Sequence, residues 1–187
     1  MLEALLIIAL VVAVQLYQTR GLPAGAAPVL SGLRNDGVPM NLAQKVGASE
    51  PTKQQGGRAN DARIKVANGG TATAVDTPAL VVFWATWCPV CKAEEGNIAA
   101  VATRWPVYSV AMQSGTAAEV GKHLREREIS LPALIDDDAD NAERWKVSGV
   151  PTHFVVDGAG NIRFRVTGYA TTWGLKARLW WAQRFPA

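Results

Sequence analysis

Residue types that build disulfide scaffolds and metal sites are scarce in this sequence. Its 187 residues include two cysteines, two histidines and three methionines. The two cysteines stand two residues apart, and the ring that they would close is too small to hold a fold together. A zinc site needs about four ligands, and His123 and His153 lie at no ligand-like spacing. A copper site is disfavoured because the sequence has few further soft ligands. We therefore predict no metal, and no cofactor beyond a redox-active cysteine pair.

The sequence also lacks an excess of charge of one sign. Nineteen basic and 16 acidic residues give a net charge of +3, which is too even and too scattered for a nucleic-acid-binding surface. No heptad pattern indicates a coiled coil, so a monomer is expected. Apolar residues make up 49% of the chain, which is enough for one packed core.

One long apolar run is present, at the N-terminus, over Ala4–Val14 (ALLIIALVVAV). Such a run is typical of a membrane segment, and we predict a transmembrane anchor over residues 1–18. The alternative is a secretory signal that is cut near Ala24-Gly25-Ala26, where small residues have a suitable spacing. Either interpretation exports the rest of the chain. In a bacterial cell, the anchor predicts a single-pass protein of the inner membrane with its functional domain in the periplasm.

Residues 19–77 are predicted as a linker that contains a short hairpin. Most of this segment has neither helical nor strand periodicity, and Lys45–Arg63 has the composition of a solvated stretch. The runs Val29–Ser31 and Val38–Leu42 flank a turn signal, Arg34-Asn35-Asp36-Gly37, which indicates the hairpin.

From residue 78 to residue 187 the pattern predicts a single α/β domain. Strand-like and helix-like runs alternate and are followed by a hairpin and a last helix, which implies a mixed central sheet with helices on both faces. The predicted strands are Ala79–Trp84, Val107–Met112, Ala133–Ile135, Thr152–Val156 and Ile162–Val166. The predicted helices are Cys91–Arg104, Ala117–Glu128, Asn141–Val147 and Thr172–Arg184.

The two cysteines, Cys88 and Cys91, lie between the first of these strands and the first helix. At that place Cys88 is expected at the helix N-cap, with Pro89 at the first helical position. Free N–H groups and the helix dipole would stabilise a thiolate on Cys88, the form that attacks a disulfide. Cys91 lies one turn deeper on the same face and would resolve the mixed disulfide. The pair predicts thiol-disulfide exchange, with Cys88 as nucleophile and Cys91 as resolving cysteine.

Glu94 follows Cys91 by three residues, on the cysteine side of the helix. A partly buried carboxylate there could accept or return the proton of Cys91, although a solvated helix residue is an equal alternative. Glu95 is predicted to be a surface residue. His153 is near enough to tune the site, but a strand histidine with satisfied hydrogen bonds is the commoner case. The acidic run Asp136–Asp140 lacks the glycine and the closing glutamate of a calcium loop, so it predicts a solvated turn that caps the next helix.

Two stretches of this sequence resemble a known superfamily. Residues 83–94 read FWATWCPVCKAE, and residues 149–152 read GVPT. They resemble the thioredoxin superfamily and, within it, the membrane-anchored TlpA-like periplasmic oxidoreductases, over Pro78 to the C-terminus. The segment Val110–Gly115 and the tryptophan-rich end carry a finer similarity to the suppressor-of-copper-sensitivity group. The resemblance implies a thioredoxin fold.

The resemblance also implies roles for single residues. Pro151 would follow a cis peptide bond in the loop that faces the cysteines, with the Val150 backbone beside Cys88 and able to pair with a substrate strand. Trp84 is expected in the core, and Trp87 beside the motif is expected to cover one side of the site. The residues predicted to bind substrate are Trp87, Pro89, Val90, Val150 and Pro151.

The chain departs from its relatives at two positions. Val82 stands where thioredoxin has a buried aspartate, which favours Glu94 as the proton partner of Cys91. Gly96 stands where many relatives have proline, so the helix kink that proline causes in them is not implied here.

The resemblance and the predicted anchor together imply a reductase. It would reduce disulfides of periplasmic proteins and receive its electrons from a membrane thiol-disulfide donor. Two alternatives stay open: a DsbA-like disulfide oxidase, and a thioredoxin-fold binding or copper-handling module without turnover.

Overall fold

A strand of six buried residues is the centre of the fold. In the computed structural model, which describes residues 9–10, 13–14, 17, 19–42 and 77–185, this strand is β4, Ala79–Trp84. Its sequence, ALVVFW, has no polar residue because both faces of the strand are covered. It pairs in parallel with β5 (Val107–Met112) and antiparallel with β7 (Thr152–Val156).

The main sheet has six strands in the order β1-β8-β7-β4-β5-β6 and is mixed, as predicted. The strands β4, β5 and β6 run parallel, while β7, β8 and β1 are joined by antiparallel pairing. The remaining strands of the chain are β1 (Gly25–Ala26), β2 (Leu30–Leu33), β3 (Pro39–Leu42), β6 (Ala133–Asp136) and β8 (Asn161–Thr167). The helices are α1 (Pro89–Ala102), α2 (Ala117–Glu126), α3 (Asp140–Arg144) and α4 (Thr172–Arg184).

Helices cover both faces of the sheet, as predicted. On one face, Leu80 and Val82 of β4 pack against α1 and α4, and α2 packs beside them on Trp84. On the other face, Val81 and Phe83 pack against α3 and the β2–β3 hairpin. Trp84 is 7% exposed, which confirms its predicted place in the core.

The hairpin predicted within residues 19–77 is confirmed, and it belongs to the core of the domain. Strands β2 and β3 pair antiparallel, and Leu30 and Met40 are buried against the sheet. Strand β1 pairs with β8 at one edge of the main sheet. At the other edge, the Asn35 N–H donates to the Ala133 carbonyl and the Ala133 N–H donates to the Asn35 side chain, both at 2.8 Å. The described part of the predicted linker, residues 19–42, therefore extends the domain that was predicted to begin at residue 78.

Two further predictions for the N-terminal part lie outside the described residues. These are most of the anchor over residues 1–18 and the solvated stretch Lys45–Arg63. Among the described residues, no helix has the length and apolar character needed to cross a membrane.

The predicted bounds of three strands and one helix are exact, and those of the other elements differ by one to three residues at an end. The predicted bounds of β4, β5, β7 and α4 are confirmed to the residue. Helix α1 begins two residues earlier than predicted because Pro89 takes its first position. Helices α2 and α3 end earlier than predicted. Left-handed backbone follows each of them, at Glu128 (φ 55°) after α2 and at Lys146 (φ 53°) after α3.

The acidic run after β6 differs from the prediction at its first residue. Asp136 is buried and forms the end of β6 instead of a solvated turn. Its carboxylate accepts hydrogen bonds from the backbone N–H groups of Asn141 (2.8 Å) and Ala142 (2.9 Å). The predicted capping of the next helix is thus confirmed, but the cap is made from inside the protein.

Candidate active site

Both cysteines lie at the junction of β4 and α1. Cys88 is the N-cap of α1 and Pro89 its first residue, as predicted. The Cys91 N–H donates to the Cys88 sulfur, with 3.2 Å between N and Sγ. The Cys88 sulfur thus lies at the N-terminus of a helix and beside a backbone N–H, a place where the helix dipole favours negative charge.

Cys91 lies deeper in the protein than Cys88, and its surroundings favour the protonated thiol. It is 2% exposed, and burial raises the pKa of its thiol well above the ordinary value. The hydrogen bond with Cys88 and the negative charges of Cys88 and Glu94 raise this pKa further, while a backbone hydrogen bond from Ala85 lowers it. Cys91 is thus held as a thiol and needs a proton acceptor before it can react.

The loop before β7 faces the cysteines. The peptide bond between Val150 and Pro151 is cis, which confirms the prediction. The Cys88 thiol donates to the Val150 carbonyl, with 3.7 Å between Sγ and the oxygen. A hydrogen bond of 2.8 Å from the Thr152 hydroxyl to the Gly149 carbonyl holds the loop. The structure therefore brings Val150 and Pro151 to Cys88, as the sequence predicts.

The predicted substrate-binding residues on the motif side are exposed. Trp87 is 58% and Val90 43% exposed, and Pro89 between them is also exposed. The Trp87 indole N–H donates to the Gln113 carbonyl at 2.9 Å, which fixes the ring beside the motif. Together these side chains form an apolar surface around a largely buried Cys88.

Glu94 is buried behind Cys91, at 1% exposure, which excludes the alternative of a solvated helix residue. Its Oε1 lies 2.8 Å from Nε2 of His153, and its Oε2 accepts a hydrogen bond of 2.9 Å from the Ala170 N–H. The Nδ1 of His153 lies 3.3 Å from the Val166 carbonyl oxygen. Both ring nitrogens of His153 have partners, as expected for a strand histidine, and one partner is the predicted proton acceptor of Cys91.

Glu95 is not the surface residue that was predicted. Its side chain is 12% exposed and lies between α1 and α2. Its carboxylate contacts Nε2 of His123 at 3.0 Å and accepts from Nε of Arg127 at 2.7 Å. A sequence signal was present, because His123 and Arg127 are four residues apart and share one face of α2.

A small cavity lies beside Cys91, between α1 and the sheet. Its volume is about 30 Å³, which is enough for a water molecule. Most of its lining is apolar, and the polar groups on its wall come from Cys91, Glu94, Glu95 and Ser109. Cys91 and Glu94 thus border a common cavity that Cys88 does not line.

The sequence and the fold were compared with known proteins. The profile of the AhpC/TSA family matches residues 56–165. The thioredoxin-like protein of Haemophilus influenzae is 35% identical over 109 residues, which cover 58% of this chain and 65% of that protein. The thiol:disulfide interchange protein DsbE homolog of Paracoccus denitrificans is 38% identical over 90 residues, which cover 48% of this chain and 50% of that protein. The matches thus span between half and two thirds of these relatives.

A solved structure supports the same assignment at the level of the fold. The thiol:disulfide interchange protein of the thioredoxin family from Chlorobium tepidum superposes with a TM-score of 0.61 at 20% identity, covering 86% of this chain and 97% of that chain. The likeness shows that the fold is the predicted thioredoxin fold. Because the family profile covers more than half of the sequence and includes β4, the cysteine motif and α1, the chain belongs to the AhpC/TSA family.

Proposed function

We propose that this chain is a thiol-disulfide oxidoreductase that reduces disulfides of exported proteins. The observation that carries the proposal is the contrast between its two sulfurs. Cys88 accepts an N–H at a helix N-cap, whereas Cys91 is held as a buried thiol with Glu94 behind it. A nucleophile in front and a protonated resolving thiol behind it are what two-step disulfide exchange requires.

The reaction begins when the Cys88 thiolate attacks one sulfur of the substrate disulfide. A bond forms between Cys88 and that sulfur, and the other substrate sulfur leaves as a thiolate. Glu94 then takes the proton of Cys91, and the Cys91 thiolate attacks Cys88. The second substrate sulfur leaves, so two electrons have passed to the substrate and a Cys88-Cys91 disulfide remains.

The Val150–Pro151 loop is the proposed docking edge for the substrate. The Val150 carbonyl already lies beside Cys88, so an extended substrate segment that pairs with this backbone would present its disulfide to the Cys88 sulfur. Trp87, Pro89 and Val90 would supply the apolar contacts around it. In this scheme the electrons come from the cysteine pair alone, and Glu94 carries only a proton.

The location and the direction of electron flow complete the proposal. The apolar run Ala4–Val14 supports an inner-membrane anchor with the domain in the periplasm. A monomer held there can receive electrons from a membrane thiol-disulfide donor, and the similarity to thiol:disulfide interchange proteins supports this chemistry.

A substrate trap tests the activity. Full-length Cys91→Ser, expressed in bacteria, should accumulate mixed disulfides with exported proteins, and these should disappear on reduction. The matched control, Cys88→Ser with Cys91→Ser, should accumulate none. If the trap captures no mixed disulfide, the chain is a binding module and not an oxidoreductase. Alkylation of the unmodified protein in cells tests the direction, because a reductase is found mainly as the dithiol and an oxidase mainly as the disulfide.

A further inference from the structure

The hydrogen bonds of His153 determine where its protons lie. The Val166 carbonyl oxygen can only accept, so the Nδ1 that faces it carries a hydrogen. The Nε2 atom that faces Glu94 then carries either a lone pair or a second hydrogen. A lone pair at 2.8 Å from Oε1 requires a proton on Glu94, and a second N–H requires the Glu94 carboxylate. In both forms one proton lies between Glu94 and His153, and the pair has no net charge.

Besides each other, the two side chains have only backbone partners, the Ala170 N–H at Glu94 and the Val166 carbonyl at His153. Their side chains are 2% and 1% exposed. Within the described part of the chain, no other charged group makes a hydrogen bond or an ion pair with either of them. Further titratable groups at this site are Cys91, the N-cap Cys88, and Glu95 on the cavity wall, whose carboxylate is held by His123 of α2 and by Arg127, the residue after α2. A lone carboxylate at this depth would be protonated in preference to being buried with its charge.

We propose that His153 is a positioning residue for the resolving step, which keeps Glu94 able to accept the Cys91 proton. The proposal rests on the proposed function. When Glu94 takes the proton from the Cys91 sulfur, the proton shared with His153 stays on, or moves to, the imidazole. The product is a Cys91 thiolate, a neutral Glu94 and an imidazolium. The site is neutral before and after the transfer, so no net charge is created inside the protein.

Replacement of His153 by glutamine keeps a hydrogen-bond donor but removes the charge. In full-length His153→Gln, the imidazole that shares a proton with Glu94 at 2.8 Å is gone, so transfer of the Cys91 proton to Glu94 is expected to be impaired. The reduced protein is mixed rapidly with excess glutathione disulfide, and the kinetics of its oxidation are followed. The kinetic phase whose rate does not depend on the glutathione disulfide concentration reports resolution by Cys91. This phase should be about tenfold slower at neutral pH and should recover about one pH unit higher. The concentration-dependent phase, attack by Cys88, should be unchanged.

The matched control is His123→Gln. Nε2 of His123 on α2 lies 3.0 Å from Oε1 of Glu95, the residue after Glu94 on α1, and this pair is outside the proposed proton path. Its resolution profile should coincide with that of the unmodified protein. An unshifted profile in His153→Gln would overturn the proposal, whereas failure of Cys88 to form any mixed disulfide would overturn the proposed function instead. If His153→Gln does not fold, nitrogen NMR of the unmodified protein decides the question. His153 Nδ1 should carry a hydrogen throughout, and a ring protonated only at Nε2 would refute the inference.

An independent observation concerns the outward face of α4. Trp173 is 84%, Trp180 52% and Trp181 48% exposed, and Phe185 stacks on Trp181 with 4.6 Å between ring centroids. The opposite face of the helix is buried in the domain through Leu175, Leu179 and Ala182. Three exposed tryptophans on one helix form an apolar patch of the kind that marks an interaction surface.

The charged side chains of the C-terminal segment that carries this patch are all basic. No acidic residue follows Asp157, whereas five basic residues do, and α4 contributes Lys176, Arg178 and Arg184. Tryptophan with lysine and arginine is the composition that lies at the headgroup level of anionic bilayers. The geometry points to a second inference, that this face of α4 rests on a membrane surface that contains anionic phospholipids.

Tryptophan quenching by brominated lipids tests this inference. The full chain is reconstituted into vesicles of phosphatidylcholine and phosphatidylglycerol with brominated acyl chains, and its fluorescence should be strongly quenched. Full-length protein with Trp173→Gln, Trp180→Gln and Trp181→Gln should lose most of this quenching, whereas Trp87→Gln should keep it. Equal quenching in the triple variant would refute contact of this face with lipid and leave the patch to a protein partner. Equal quenching in brominated vesicles of phosphatidylcholine alone would refute the part of the inference that concerns anionic lipid.

Discussion

Glu94 and Glu95 are neighbours in sequence, and each carboxylate contacts a different histidine. Glu94 contacts His153 of the central sheet at 2.8 Å, and Glu95 contacts His123 of α2 at 3.0 Å. Successive residues of a helix point about 100° apart, so one helix can serve the buried site and the helix interface at once. The two pairs share their chemistry and differ in depth, since the side chains of the first pair are at most 2% exposed and those of the second 12–14%.

Glu95→Gln should reduce stability and leave thiol chemistry intact. The substitution removes the charge that holds His123 and Arg127, and the free energy of unfolding in urea should fall by about 1 kcal/mol, since Arg127 is half exposed. The control is Glu126→Gln on α2, whose pair with Lys122 is exposed and 3.7 Å long. That change should be within about 0.5 kcal/mol of zero. Equal effects of the two variants would contradict an interface role for Glu95.

The two thiols should differ in reactivity. In the reduced, folded protein, iodoacetamide should modify Cys88 first and Cys91 more than about a hundredfold more slowly, because the raised pKa of Cys91 leaves little thiolate. Mass spectrometry of peptides from timed samples measures both rates. In urea the two rates should converge, since the unfolded chain does not bury Cys91. Similar rates in the folded protein would be inconsistent with the buried thiol.

The buried Cys91 thiol also predicts a loss of stability at alkaline pH. Its pKa is raised in the folded protein, whereas the ordinary value is 9.0. The native state therefore holds this proton more tightly than the unfolded state does. The stabilisation is complete below about pH 9 and is lost as the pH rises from the unfolded towards the folded value, because the unfolded thiol ionises first. Urea unfolding under reducing conditions should show a steeper alkaline decline in the unmodified protein than in Cys91→Ala, and identical slopes would exclude this contribution.

The hairpin should contribute to the stability of the whole domain. Leu30 of β2 is fully buried against the sheet, so Leu30→Ala should lower the free energy of unfolding by about 2–5 kcal/mol. Leu33 of the same strand is 62% exposed, and Leu33→Ala should change little. Chemical denaturation that is followed by tryptophan fluorescence measures both. A small effect of Leu30→Ala would mean that the hairpin packs only loosely on the domain.

The parts of the fold that could be predicted are those that a local pattern specifies. The apolar run ALVVFW is bounded by a proline and the cysteine motif, and its strand is confirmed to the residue. The cap of α1 also followed from local chemistry, since a polar side chain followed by proline begins a helix. Strand β1 gave no such signal, because Gly25-Ala26 is too short to show periodicity and is fixed only by pairing with β8.

The site was predictable in its chemistry and less so in its depth. Spacing placed Glu94 on the cysteine side of α1, but burial depends on how α4 and the Ala170 backbone close over it. His153 and Glu94 are 59 residues apart in sequence, so no local pattern joins them. Glu95 was assigned to the surface because its partners lie on α2, whose position relative to α1 is set by tertiary packing.

The N-terminal segment reaches both edges of the main sheet, where β1 pairs with β8 and Asn35 bonds to Ala133 of β6. Open strand edges are the templates on which protein chains associate into aggregates. The segment that was predicted as a linker with a short hairpin thus covers two residues of β8 and the start of β6, and it leaves less of each edge open to such association.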